Sequence, residues 1–139
     1  MATHVLKNAY CMMNLVNLSA WVNSISINLE QPTVDDTNMG DDSLAFLCGL
    51  KNATFTINWS QDYTAATVDP GMWAIYDGGV AVAFIIKPNG ATTAVLNPKY
   101  TGSCILTGYT PIGGTVGDKA MAPCTFQVTG DIARATADA

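Results

Sequence analysis

Catalysis needs reactive side chains at workable spacing, and this chain of 139 residues offers few. Its single histidine, His4, has no carboxylate beside it in sequence to orient it. A Cys–His couple would have to be built by the fold from His4 with Cys11 or Cys48, since a nucleophilic thiol needs an adjacent base. Four aspartates, Asp35, Asp36, Asp41 and Asp42, invite a calcium reading. An EF-hand loop begun at Asp36 puts Gly40 at the fifth position, where a ligand belongs, and Leu47 at the twelfth, where Glu is required. A calcium site of another type and a plain solvated turn both stay open. Glycoside cleavage would pair Glu30 with one of these aspartates, and the spacing singles out no pair. Gly113, Gly114 and Gly117 lack the Lys–Ser/Thr pair and the helix of a phosphate loop, so a wide hairpin is the better reading. The sequence thus predicts a non-enzyme with no catalytic, metal or cofactor residue.

Charge narrows the function further. Only 12% of residues are charged, where an ordinary solvated surface carries about 25–35%. Ser, Thr and Asn are abundant instead, and charge-depleted surfaces are typical of interfaces. The formal net charge is −5, and Lys7, Lys51, Lys87, Lys99, Lys119 and Arg134 are scattered in sequence. Phosphate gripping needs clustered cations, so specific nucleic-acid binding is not expected. The apolar stretch Ala9 to Val22 is broken by Asn14, Asn17 and Ser19, which argues against a signal peptide, and no run reaches the roughly 20 apolar residues of a membrane span. Synthesis and folding in a cytoplasm follow as an expectation. Cys11, Cys48, Cys104 and Cys124 are then expected to be free core thiols.

The elements that would carry these residues read mostly as strands of one domain, 1–139. Ile25, Ile27 and Leu29 alternate with polar neighbours, as do Ala53, Phe55, Ile57 and Trp59, and again Cys124, Phe126 and Val128. Period two marks half-buried antiparallel strands. Val80 to Ile86 is apolar nearly throughout and reads as a central strand covered on both faces. Ala9 to Val16 and Tyr100 to Tyr109 are further strands, and Thr33 to Asp36 is a short one, giving roughly six or seven in a sandwich or barrel.

One helix is predicted over 69–77. Asp69 serves as N-cap, Pro70 opens the first turn and Gly78-Gly79 ends it. Val68 and Trp73 have the spacing of a hydrophobic staple, and Met72, Tyr76 and Trp73 should dock the helix on apolar strand surface. Residues 37–50 read as an irregular loop and 130–139 as a tail. Met39, Leu44, Phe46 and Leu47 in that loop either seek a partner or pack in the core. Trp21, Tyr63, Tyr100 and Tyr109 remain as free aromatics, which keeps a carbohydrate-binding β-sandwich module as a rival reading.

The segments "MATHVLKNAY", "LSAWVNSISIN", "DDTNMGD", "GLKNATFTINWSQDY", "VDPGMWAIYDGG", "NPKYTGSCILTGYTPIGGTVGD" and "GDIARATA" together resemble the major tail, or tail tube, proteins of long-tailed bacteriophages, especially those of actinobacteria. The resemblance implies an antiparallel β-sandwich or barrel with a flanking helix, closing into rings, usually hexameric, that stack into the conduit for the genome. It implies the chain itself, tape-measure protein and terminator as partners, no cofactor, and a place in the virion. It sets residues 37–50 against a neighbouring ring, with Met39, Leu44, Phe46 and Leu47 at the contact. An acidic balance suits a bore through which a polyanion slides, so Asp35, Asp36, Asp41 and Asp42 become lumen candidates, as do Asp62, Asp77, Asp118 and Asp131. A capsid-decorating or tail-terminator protein is the alternative within structural proteins.

Overall fold

The computed structural model describes Val5, Lys7 and residues 9–137, so the reading of His4 lies outside the described residues. The chain runs β1 (Tyr10–Met13), β2 (Val16–Asn17), a 3-10 turn (Ser19–Trp21), β3 (Val22–Glu30), β4 (Thr33–Asp35), β5 (Phe46–Cys48) and β6 (Asn52–Ser60). There follow α1 (Val68–Gly78), β7 (Val82–Lys87), β8 (Lys99–Tyr109) and β9 (Met121–Ala135). Seven strands form one sheet in the order β2-β1-β7-β8-β9-β6-β3, with every pair antiparallel. The sheet curls into a half-barrel. The short strands β4 and β5 make a separate hairpin.

Period two puts the core on one face of this sheet. Phe55 registers with Phe126, Ile57 with Cys124 and Trp59 with Ala122, and all six side chains are buried. Cys11 and Met13 of β1 meet Ile86 and Phe84 of β7 on that same face. Phe55 stacks on Phe126 with centroids 4.7 Å apart and tilts against Phe84 at 4.8 Å. Curling brings Ile25 and Ile27 of β3 into one depression with Ile86 and Tyr100. Leu18, Val68, Met72 and Ile75 complete the cluster, so α1 and the 3-10 turn close the concave side.

Five expectations need correction. Ala9 to Val16 is a hairpin rather than one strand, because Asn14 (φ 50°) and Leu15 (φ 66°) take left-handed backbone and turn the chain. Val82–Lys87 is internal to the sheet but covered on one face only, since Ala83 is exposed and Ile85 half-buried. Residues 37–50 are not wholly irregular: Phe46–Cys48 pairs with Thr33–Asp35. The tail continues β9 as far as Ala135, paired with Lys99–Thr101 beyond the Gly130 kink (φ 82°). Nine strands result among the described residues, more than foreseen, because the two hairpins hold short strands with no long alternation.

The helix also departs from its forecast. It begins at Val68 with Thr67 as N-cap, not Asp69, and the Thr67 hydroxyl donates to the Asp62 carbonyl rather than capping. Val68, Met72 and Ile75 fall on one stripe and are buried, which is the spacing of a single helical face. Trp73 lies a residue past that stripe and is 56% exposed, while Tyr76 is 60% exposed. The staple between Val68 and Trp73 is therefore absent. Gly79 ends the helix as foreseen, left-handed at φ 63°, its N–H reaching the Ile75 carbonyl at 3.3 Å.

Candidate assembly surface

A set of bonds anchors the segment that carries α1. Asp62 Oδ2 accepts from Trp21 Nε1 at 3.0 Å, and its Oδ1 accepts from the Thr64 backbone N–H at 2.9 Å and from the Thr64 hydroxyl. Those Thr64 bonds hold the Asp62 carboxyl below the usual aspartate range, with Trp21 adding a smaller pull. The Asp62 carbonyl also receives the Asp69 N–H at 3.0 Å. Asp69 Oδ1 accepts the Tyr109 hydroxyl at 2.8 Å, which ties the first helical turn to the end of β8. Burial pushes the Tyr109 phenol well above its ordinary value, and Asp69 adds to the rise. Tyr63 and Gln61 bind the Pro111 carbonyl at 2.8 and 2.6 Å, so the β6–α1 loop is sewn to the β8–β9 turn.

These bonds occupy the aromatics that could have met a sugar. Trp21 and Tyr109 pack against the core, Tyr63 faces Pro111, and Tyr100 accepts from Arg134 Nε at 3.3 Å. They form no common platform. Tyr63 keeps an exposed ring despite its bond, and Trp73 and Tyr76 are exposed as a pair on the outer side of α1, tilted 35° to one another with centroids 5.7 Å apart.

Among the described residues, no group of three or more His, Cys, Asp or Glu side chains is placed to hold a metal ion, and no helix is long and apolar enough to cross a membrane. The thiols divide. Cys11, Cys104 and Cys124 are buried, and burial pushes each up to about 12. Cys48 is exposed, contrary to its expected core position, because β5 pairs only with β4 and touches no buried cluster.

Three surfaces stand uncovered. The first is the β4–β5 hairpin, where Met39, Leu44, Phe46 and Leu47 are all exposed; its core-packing alternative is thereby removed. Its aspartates serve local turns: the Thr37 side chain, and then its N–H at 2.9 Å, hold the Asp35 carboxyl below the usual aspartate range, and Asp41 accepts the Asn38 N–H at 2.7 Å. Asp36 and Asp42 are exposed beside them.

The second surface is the sheet face opposite the core. Ser24, Ser26 and Asn28 lie on it beside Thr54, Thr56 and Asn58, then Thr125 and Gln127, then Ser103 and Thr107. Glu30 borders that field beside Asn28, whose Nδ2 donates to it at 2.7 Å, and the exposed Ile105 lies within it opposite Gln127. The third is the outer border of β3, nine residues long, on whose free side no strand pairs among the described residues. Exposed sheet borders template further pairing unless charge, proline or a bulge blunts them; β3 has a bulge between Val22 and Ser24 at one end and Glu30 at the other, which leaves Ser24 to Leu29 plain. Sequence alone could have found the polar field, from the alternation of β3 and β6. The free border and the outward Trp73 needed the strand order.

No family model and no curated protein matches the chain. Solved structures do. A chain of the virion of a native gene transfer agent particle superposes with a TM-score of 0.78 at 14% identity, covering 96% of this chain and 99% of that one. A chain from the tail of an empty gene transfer agent particle, refined with C6 symmetry, gives 0.67 at 15% identity over 81% of each. A chain of the anti-feeding prophage baseplate gives 0.59 at 9% identity over the whole of both. At these identities the likeness defines the fold alone: a mostly antiparallel β domain with one helix, shared with those three chains.

Proposed function

We propose that this chain is a structural subunit of a phage tail, and more narrowly that copies of it close into rings, six to a ring, that stack into the tail tube. The observation that carries the reading is the coincidence of a fold match to chains of a gene transfer agent virion and of such a particle's tail with an open β3 border whose stretch from Ser24 to Leu29 has neither charge nor proline. A soluble monomer would rarely keep such a border open. Composition agrees, since a repeating contact buries surface best where charge is sparse.

In this reading the hydroxyl and amide field of the sheet lines the bore, offering DNA no cation to grip. The aspartates of the β4–β5 hairpin sit apart from that field. Phe46, Leu47, Leu44 and Met39 make the contact toward another ring, and a head-to-tail contact that does not close on itself yields a filament. Tape-measure and terminator proteins are the further partners, and the virion tail is the location, after synthesis in the host cytoplasm. No catalytic role is assigned.

Sedimentation velocity over a range of concentrations tests this. Growth into a series of large species is the predicted result. A single species of the 14.6 kDa chain at every concentration would overturn it.

A further inference from the structure

Half of the six basic residues gather at one end of the sheet, although they come from three strands. Lys87 closes β7, Lys99 opens β8 and Arg134 lies near the end of β9. Register sets Lys87 beside Tyr10, and Arg134 beside Tyr100. Lys87 Nζ stands 4.6 Å from the Tyr10 ring centroid and donates to the Ala91 carbonyl at 3.0 Å; Arg134 Nε donates to the Tyr100 hydroxyl. Among the described residues no carboxylate pairs with Lys87 or Arg134. Asp131, also on β9, lines a cleft with Glu30 and Lys51 instead.

The same end of the strands gives rise to the β4–β5 hairpin at the β3 border, two strands from β9, because β3 runs out at Glu30 where β6 begins. The hairpin carries four carboxylates and no cation between Thr33 and Cys48. It buries no side chain in the core and holds together by its own short bonds, such as Gly49 N–H to the Pro32 carbonyl at 2.6 Å. An isolated two-stranded hairpin is marginal in water. The hairpin's carboxylates complement in charge the tyrosine-edged cations Lys87 and Arg134 that another copy presents.

We infer that the Lys87–Arg134 end of the sheet is the docking surface for the acidic β4–β5 hairpin of a second copy of this chain. The inference rests on the assembly reading above and adds a neighbour within the ring to the hairpin's apolar contact between rings. Opposite charges at such a contact fix partner and orientation.

Two charge-reversed proteins test it. One is Lys87→Glu with Arg134→Glu; the other is Asp36→Lys with Asp42→Lys, whose carboxylates make no internal bond. Far-UV circular dichroism and melting establish that each stays folded. Each alone should need on the order of tenfold or more protein to assemble, because like charges then face each other. An equimolar mixture should assemble again, since each presents the charge the other lacks. Wild-type-like assembly by either variant alone, or a mixture that stays unassembled while wild type assembles, overturns the docking surface and leaves the tail reading standing. Failure of wild type itself to assemble overturns both.

Discussion

The Tyr109 hydroxyl donates to Asp69 Oδ1 at 2.8 Å, joining residues 40 positions apart and pinning the start of α1 to the end of β8. Tyr109→Phe keeps the ring in place and removes this bond together with the one that Gln61 Nε2 donates to the same hydroxyl at 3.2 Å, so it should cost about 1–2 kcal/mol in chemical denaturation. A loss near zero would mean that the helix is held by Val68, Met72 and Ile75 alone.

Asp62 sets an acid limit. Its carboxyl is held low by Thr64, so its stabilisation is complete above the ordinary aspartate value of about 3.9 and is lost as pH falls through the lowered folded value. Melting curves of Asp62→Asn and wild type should therefore differ at neutral pH and converge in acid. Parallel curves down to the lowest pH would contradict the Thr64 geometry.

The thiols set an alkaline limit and a labelling pattern. An unfolded thiol titrates near about 8.5, while burial pushes Cys11, Cys104 and Cys124 up to about 12. The unfolded chain then releases protons that the native one keeps, so stability is full below about pH 8.5 and declines as pH rises toward 12. In native protein a thiol reagent should modify Cys48 quickly and the other three only on unfolding. Fast reaction of two or more thiols would contradict the packing.

The tryptophans separate folding from assembly. Trp59 is fully buried, and Trp59→Ala should cost about 3–5 kcal/mol. Trp73 is exposed, and Trp73→Ala should change monomer stability by no more than about 0.5 kcal/mol. If its ring and that of Tyr76 are covered between copies, the same change weakens assembly, as aromatic anchors usually do. Concentration-dependent light scattering reads the second effect.

Much of the sheet was legible because burial on one face imposes period two, and β3, β6 and the first half of β9 obey it. The second half of β9 escaped because Gly130 kinks the strand and Ala133 and Ala135 give no alternation. The Asn14-Leu15 turn escaped because Leu is an unusual residue at a left-handed position, where glycine would have announced it. Trp73 was misplaced inward on side-chain type, although the stripe Val68, Met72 and Ile75 already filled the docking face. The hairpin residues were half legible: their apolar run left partner-seeking and core packing both open, and only their exposure in the structure removes the second. The basic end was not, because Lys87, Lys99 and Arg134 meet only through strand order.

Electron microscopy of the purified, concentrated protein tests the central claim most directly. The account predicts rings or rods with a hollow bore, with the Ser, Thr and Asn field of the sheet facing inward. Separate compact particles at every concentration, or a bore lined by Lys51, Lys87 and Lys99, would contradict it.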